Sequence, residues 1–146
     1  MQNILTLHNP QNARDYYLSG IWQQETLYTL ARRHSRERPT SCALRDADLR
    51  LTWREVIDWV DSVAESLHRQ GLKPGDRVGI WLPNVVQATI VFLACSRNGY
   101  VCCPSLHQNY TVEEICALLN RIQCRALFAM PGYGADSDKN SIFDKM

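Results

Sequence analysis

Apolar positions along the chain change their period several times, and each change marks an element. Residues 1–20 show no steady period and contain Asn9-Pro10, which predicts an extended arm. Over 26–35, Leu27, Leu30 and Ala31 share one side of a short amphipathic helix, which runs out in Arg32-Arg33-His34-Ser35-Arg36-Glu37-Arg38 before Pro39. Residues 41–45 and 49–51 are strand-like pieces about Asp46-Ala47-Asp48, the pattern of a hairpin turn. Thr52 and Glu55 then form a Thr-x-x-Glu capping box, in which hydroxyl and carboxylate each satisfy a free backbone N–H. Val56, Val60, Val63, Ala64 and Leu67 continue along one helical face that stops at Gly71.

Pro74-Gly75-Asp76 turns the chain into Val78-Gly79-Ile80-Trp81-Leu82, a continuous apolar run suited to a strand covered on both faces. Asn84 and Gln87 offer a second cap to a mostly apolar helix over 85–97, ended by Gly99, and Val101-Cys102-Cys103 reads as a short strand. Thr111 and Glu114 make a third capping box. Ile115, Leu118, Leu119 and Ile122 form the next helical face, followed by the strand-like Ala126-Leu127-Phe128-Ala129-Met130. Three apolar strands joined by two helices predict an α/β fold: a parallel βαβαβ sheet with right-handed crossovers, flanked by helices. The organisation expected is an arm over 1–24, a body over 25–130 and a polar, turn-rich tail over 131–146.

Composition changes this picture little. The chain has 146 residues, 45% hydrophobic and 21% charged, with a net charge of +1, so no broad electrostatic attraction draws it to nucleic acid or an anionic membrane. The basic run at 32–38 complements a helix dipole and is interrupted by Glu37. The first eight residues have no basic cluster followed by an apolar region, and the longest apolar stretch, 85–95, is far short of a membrane span. A cytoplasmic protein is expected.

Cys42, Cys95, Cys102, Cys103, Cys116 and Cys124 lack the Cys-x2-Cys spacing of a zinc site and sit in apolar segments, so they read as reduced core thiols. His8, His34, His68 and His107 stand alone, with no nucleophile in a motif context. Asn109-Tyr110-Thr111 matches a glycosylation sequon and reads as the approach to a helix cap.

Three stretches together resemble the front of the adenylate-forming superfamily, which includes acyl-CoA synthetases, aryl-acid adenylating enzymes and adenylation domains of peptide synthetases. Leu51-Thr52-Trp53-Arg54-Glu55-Val56 is similar to its "LTYxEL" opening. The run from Gly71-Leu72 through Gly75-Asp76-Arg77-Val78 to Leu82-Pro83-Asn84 is similar to "GLxxGDRVAIxLPN". Residues 94–104 parallel "LAxxKxGAxxxPL", with Tyr100 in place of the usual alanine. Upstream, Tyr16, Gly20 and Trp22 follow the "YxxxGxW" lead-in of medium-chain acyl-CoA synthetases and aryl-acid adenylating enzymes.

The resemblance covers about residues 14–130. It implies the amino-terminal part of an acyl-CoA synthetase-like large domain. It also implies a parent enzyme that joins a carboxylic acid to AMP at the expense of ATP and Mg²⁺, then passes the acyl group to CoA. An aryl-acid adenylating enzyme feeding a carrier protein, or a non-catalytic α/β binding module, are the alternatives. The family's phosphate loop, ribose-binding acid and catalytic lysine find no counterpart here. Gly132-Tyr133-Gly134 follows a strand but lacks the Lys-Ser/Thr of a phosphate loop and reads as a plain loop. No residue of this chain is therefore assigned a catalytic, cofactor-binding or metal-ligating role, and no bound cofactor is expected. An uncovered sheet edge predicts self-association or partial disorder at the carboxyl end.

Overall fold

In the computed structural model, residues 9–104 and 106–145 are described. Asn9 and Pro10 start a helix. The Asn9 Oδ1 accepts from the Gln11 and Asn12 backbone N–H groups at 2.9 and 3.4 Å, and Pro10 occupies the first helical turn, where its missing N–H costs nothing. The extended arm expected there is therefore corrected over Pro10–Leu18 (α1); residues 1–8 lie outside the described residues. None of the side chains of α1 is buried, which is why it leaves no apolar period to read.

Helix α2 (Leu27–Glu37) starts at a box formed by Thr26 and Thr29 and extends two residues past the predicted end. Strands β1 (Cys42–Arg45) and β2 (Arg50–Thr52) pair antiparallel about the Asp46 turn, as the pattern predicts. The Thr52–Glu55 box opens α3 (Trp53–Arg69): the Thr52 N–H donates to Glu55 Oε2 at 2.7 Å and the Glu55 N–H donates to Thr52 Oγ1 at 3.3 Å. Val56, Val60 and Ala64 are fully buried against Tyr28, Ala31, Ile90 and Ala94, a core shared by three helices. Tyr28 also donates its hydroxyl to Asp61 at 2.8 Å, and Arg97 pairs with the same carboxylate at 2.9 Å.

Strand β3 (Arg77–Trp81) is central. Strands β4 (Val101–Cys103) and β5 (Cys124–Ala129) flank it in parallel, in the order β4-β3-β5. Helices α4 (Val86–Asn98) and α5 (Val112–Arg121) make the two crossovers. Alternate residues of β3 face different helices, as the pleat requires. Val78 and Ile80 pack with Leu67, Val91 and Cys95 of α3 and α4, whereas Trp81 packs with Val112, Ile115 and Leu119 of α5. The crossovers thus cover opposite faces, as two right-handed connections that leave and return across a central strand must.

The space beside Gly79 is close: a Cβ there would stand 3.0 Å from Leu119 Cδ2, 3.2 Å from Leu127 Cδ1 and 3.3 Å from Cys124 Sγ, so these side chains would have to shift slightly to admit one. Gly99 ends α4 in the left-handed conformation at φ 71°. Among the described residues, β4 and β5 each have a strand on one side only.

One further expectation is corrected. Helix α4 takes no cap from Asn84 and Gln87; its N-cap is Val85, which has no side-chain oxygen to offer. The polar carboxyl-terminal segment packs against the sheet. Ile142 is 3% exposed in the α5 core, and Tyr133 meets the Trp81 ring edge-on with centroids 5.9 Å apart.

Candidate functional site at the strand ends

In an open parallel sheet, ligands bind outside the carboxyl ends of strands where neighbouring connections leave for opposite faces. Here that place lies between β3 and β4. The chain leaves β3 through Leu82-Pro83-Asn84 toward α4, and leaves β4 toward α5 on the other face. The amino-termini of α4 and α5 both open on this rim. Free N–H groups and the positive end of the helix dipole make such termini natural phosphate sites.

Both are already occupied by carboxylates of the chain itself. Asp46, at the tip of the β1–β2 hairpin, accepts from the Val86 N–H through Oδ2 at 2.9 Å, and from the Asp48 and Leu49 N–H groups through Oδ1. At α5, the Thr111 N–H donates to Glu114 Oε2 at 2.8 Å, completing the third predicted box. The Val112 N–H donates to Asp136 Oδ1 at 2.9 Å, and Asp136 is itself held by the Asn140 amide at 2.7 Å.

These bonds favour the ionised carboxylates. The Val86 N–H, followed by those of Leu49 and Asp48, holds Asp46 below its ordinary value of 3.8; the Val112 N–H does the same for Asp136. A carboxyl whose folded value is depressed stabilises the fold above its unfolded value, and that contribution disappears as pH falls through the folded one. The urea midpoint should therefore drop steadily below about pH 4. Asp46→Ala should lower the midpoint at pH 7 and make its decline below pH 4 shallower, as followed by circular dichroism. An unchanged acid limb would show that the cap does not couple to folding.

Among the described residues the histidines do not converge; His8 lies outside them. His34 meets Trp53 with the rings tilted and centroids 4.9 Å apart, His68 is exposed on α3, and the exposed His107 stacks on Tyr110 while its carbonyl accepts from Trp81 Nε1 at 3.1 Å. Gly132-Tyr133-Gly134 turns inward onto Trp81, and the Ala135 N–H donates to the Tyr110 carbonyl at 2.9 Å. Among the described residues, no group of three or more His, Cys, Asp or Glu side chains could hold a metal ion. Cys95 is buried and Cys102, Cys103, Cys116 and Cys124 are half-buried, but Cys42 is exposed, which corrects its reading as a core thiol: it is the first residue of β1, whose two end residues are both exposed. The arrangement can stiffen and shape a crevice; it brings no nucleophile and base together.

The caps from Asp46 and Asp136 are the features that sequence reasoning missed. Their partners stand 40 and 24 residues away, beyond any local motif.

The chain is similar to an indenyl-propanoyl:CoA ligase of Rhodococcus jostii, with 30% identity over 128 residues, covering 84% of this chain and 25% of that protein. Enterobactin synthase component E of Escherichia coli is 37% identical over 87 residues, covering 60% of this chain and 16% of its own length. Among solved structures, the apo structure of MbtA from Mycobacterium smegmatis superposes with a TM-score of 0.71 and 27% identity, covering 84% of this chain and 23% of that one. The chain thus spans a quarter or less of these proteins. The profile of the AMP-binding enzymes matches residues 31–145, most of the chain and all of its parallel sheet, and the chain belongs to that family.

Proposed function

We propose that this chain is the amino-terminal part of an ATP-dependent carboxylic acid:CoA ligase, working in the cytoplasm, whose reacting groups lie outside these residues. Such a ligase joins a carboxylate oxygen to the α-phosphorus of ATP and expels pyrophosphate. A thiol sulfur then attacks the acyl carbon and AMP leaves. The observation that carries the reading is the family match through residues 31–145 in a chain that spans a quarter or less of its relatives.

No residue of this chain is assigned to Mg²⁺: Asp46 and Asp136, the carboxylates at the crevice rim, are committed to backbone N–H groups. The role assigned to this chain is architectural: it supplies the parallel sheet and a crevice rim whose helix termini are internally neutralised. One-sided β4 and β5 support pairing of the isolated chain with a second copy.

The test is acid-dependent ATP–pyrophosphate exchange by the product of the whole natural reading frame, next to the 146-residue chain alone. Exchange is expected from the first and none from the second. A natural reading frame that closes at Met146, with no exchange from its product, would overturn the ligase reading and favour a binding module. Because relatives of the chain include aryl-acid adenylating enzymes, the second half-reaction should be run with CoA and with a pantetheinylated carrier protein. Transfer to the carrier alone would select that acceptor.

A further inference from the structure

A trough runs between α4 and the β1–β2 hairpin, whose tip is tied down where the Val86 N–H donates to Asp46 Oδ2 at 2.9 Å. Two cavities, of about 360 and 310 Å³, are both bordered by Leu44 and Thr89 and so adjoin along it. The larger lies against α2 and, apart from His34 and Thr89, has apolar walls that include Leu27, Leu30, Trp53 and Phe92. Leu27 is 50% and Phe92 38% exposed, so hydrocarbon faces water at this end. The smaller is polar, with Arg45, Asp46 and Asn84 around the start of α4. One trough thus passes from hydrocarbon to a cation.

The polar end has cations without partners. Arg45 stands directly opposite Arg50 in the hairpin, on the same face of the pair, where like charges repel. Among the described residues neither guanidinium makes an ion pair. Asp46 has both oxygens committed: Oδ2 accepts from the Val86 N–H and Oδ1 from those of Asp48 and Leu49. The same bond takes the Val86 N–H from any ligand, so the guanidiniums, not the helix terminus, are left to meet an anion.

We propose that this trough binds a single-chain amphiphile with a phosphate head. The alkyl chain lies along Leu27, Leu30 and Phe92, and the dianionic phosphate sits against Arg45 with Arg50 beside it. Two adjacent guanidiniums match two negative charges and offer paired N–H donors to phosphate oxygens. The cavities stand at the lower end of the range for small-ligand pockets, roughly 300–1,000 Å³, which suits one alkyl chain better than two. The ligase reading gives Arg45, Arg50 and Phe92 no role.

The 146-residue chain is titrated calorimetrically with decyl phosphate below its micelle-forming concentration, and with decanol, decanoate and inorganic phosphate. Decyl phosphate should saturate a single site. Decanol, which keeps the chain and lacks the charge, should bind at least about tenfold more weakly, with singly charged decanoate between them. Inorganic phosphate alone should give no heat of binding. Arg45→Gln should weaken decyl phosphate by about tenfold and leave decanol unchanged, whereas Phe92→Ser should weaken both by the same factor. Both side chains are exposed, and circular dichroism checks that the variants fold. No saturable binding, decanol or decanoate bound as tightly as decyl phosphate, or an Arg45→Gln chain that binds decyl phosphate as before would each overturn the proposal. So would a chain that sediments as a dimer, is dissociated by Phe92→Ser and takes up no decyl phosphate, which would give the trough to a second copy. The comparison of head groups on the unsubstituted chain decides this even where a variant fails to fold.

Discussion

Replacing Trp81 with alanine should destabilise the fold by about 3–5 kcal/mol, the usual range for removing a large aromatic from a packed core. Trp81 is fully buried, among the largest such side chains in the chain. Its ring fills the space between β3 and α5, against Leu106, Val112, Ile115, Leu119 and Ile142, and its Nε1 donates to the His107 carbonyl at 3.1 Å. Truncation therefore leaves both a cavity and a carbonyl without its donor. Since small domains are stable by only about 5–15 kcal/mol, the loss is a large share of the total.

Urea denaturation followed by circular dichroism measures it, and Trp81→Phe separates the two contributions. Phenylalanine retains most of the packing and loses the hydrogen bond with a smaller cavity, so it should cost much less than alanine. The carboxyl-terminal segment rests on this ring, so residues 131–145 should also become the first site of limited proteolysis in the alanine variant. A loss under about 1 kcal/mol would mean that Trp81 fills space that the fold can close without it.

Trp81 also illustrates what could be read from the chain and what could not. As part of an unbroken apolar strand flanked by helical periods, it marks the centre of a parallel sheet from sequence alone. The order β4-β3-β5 follows from its neighbours only once side chains are seen to alternate between α4 and α5. The boxes at Thr52–Glu55 and Thr111–Glu114 were legible because both members lie within one turn. The cap on α4 was not: Asn84 and Gln87 mimic a local signal, while the oxygen that bonds Val86 comes from Asp46 across the hairpin. Helix α1 was hidden because it buries no side chain, and the folded end because two apolar anchors, Tyr133 and Ile142, stand in a polar run. At the strand ends the loops themselves were legible. Their occupation by distant carboxylates, which decides what the helix termini can still bind, depends on tertiary contacts alone.

That closure of the end onto the sheet turns on Gly134. Its φ is 139°, a conformation that side-chain-bearing residues rarely adopt, and a Cβ there would stand 2.7 and 2.8 Å from Cζ2 and Cη2 of Trp81 and 3.4 Å from the Tyr110 carbonyl. The ring cannot withdraw, since it is buried on all sides and tied to His107. Gly134→Ala should therefore add backbone strain of about 1–3 kcal/mol to an overpacking cost of about 1–3 kcal/mol. Gly132 is the internal control: its φ is 75°, and nothing lies within 4 Å of its would-be Cβ, so Gly132→Ala should cost only the backbone part, about 1–2 kcal/mol. In the double variant Trp81→Phe/Gly134→Ala, the smaller ring should return part of the loss, a positive coupling between residues in contact. Equal costs for the two glycine variants, together with additive behaviour in the double variant, would show that the carboxyl-terminal segment does not depend on the Trp81 ring for its place on the sheet.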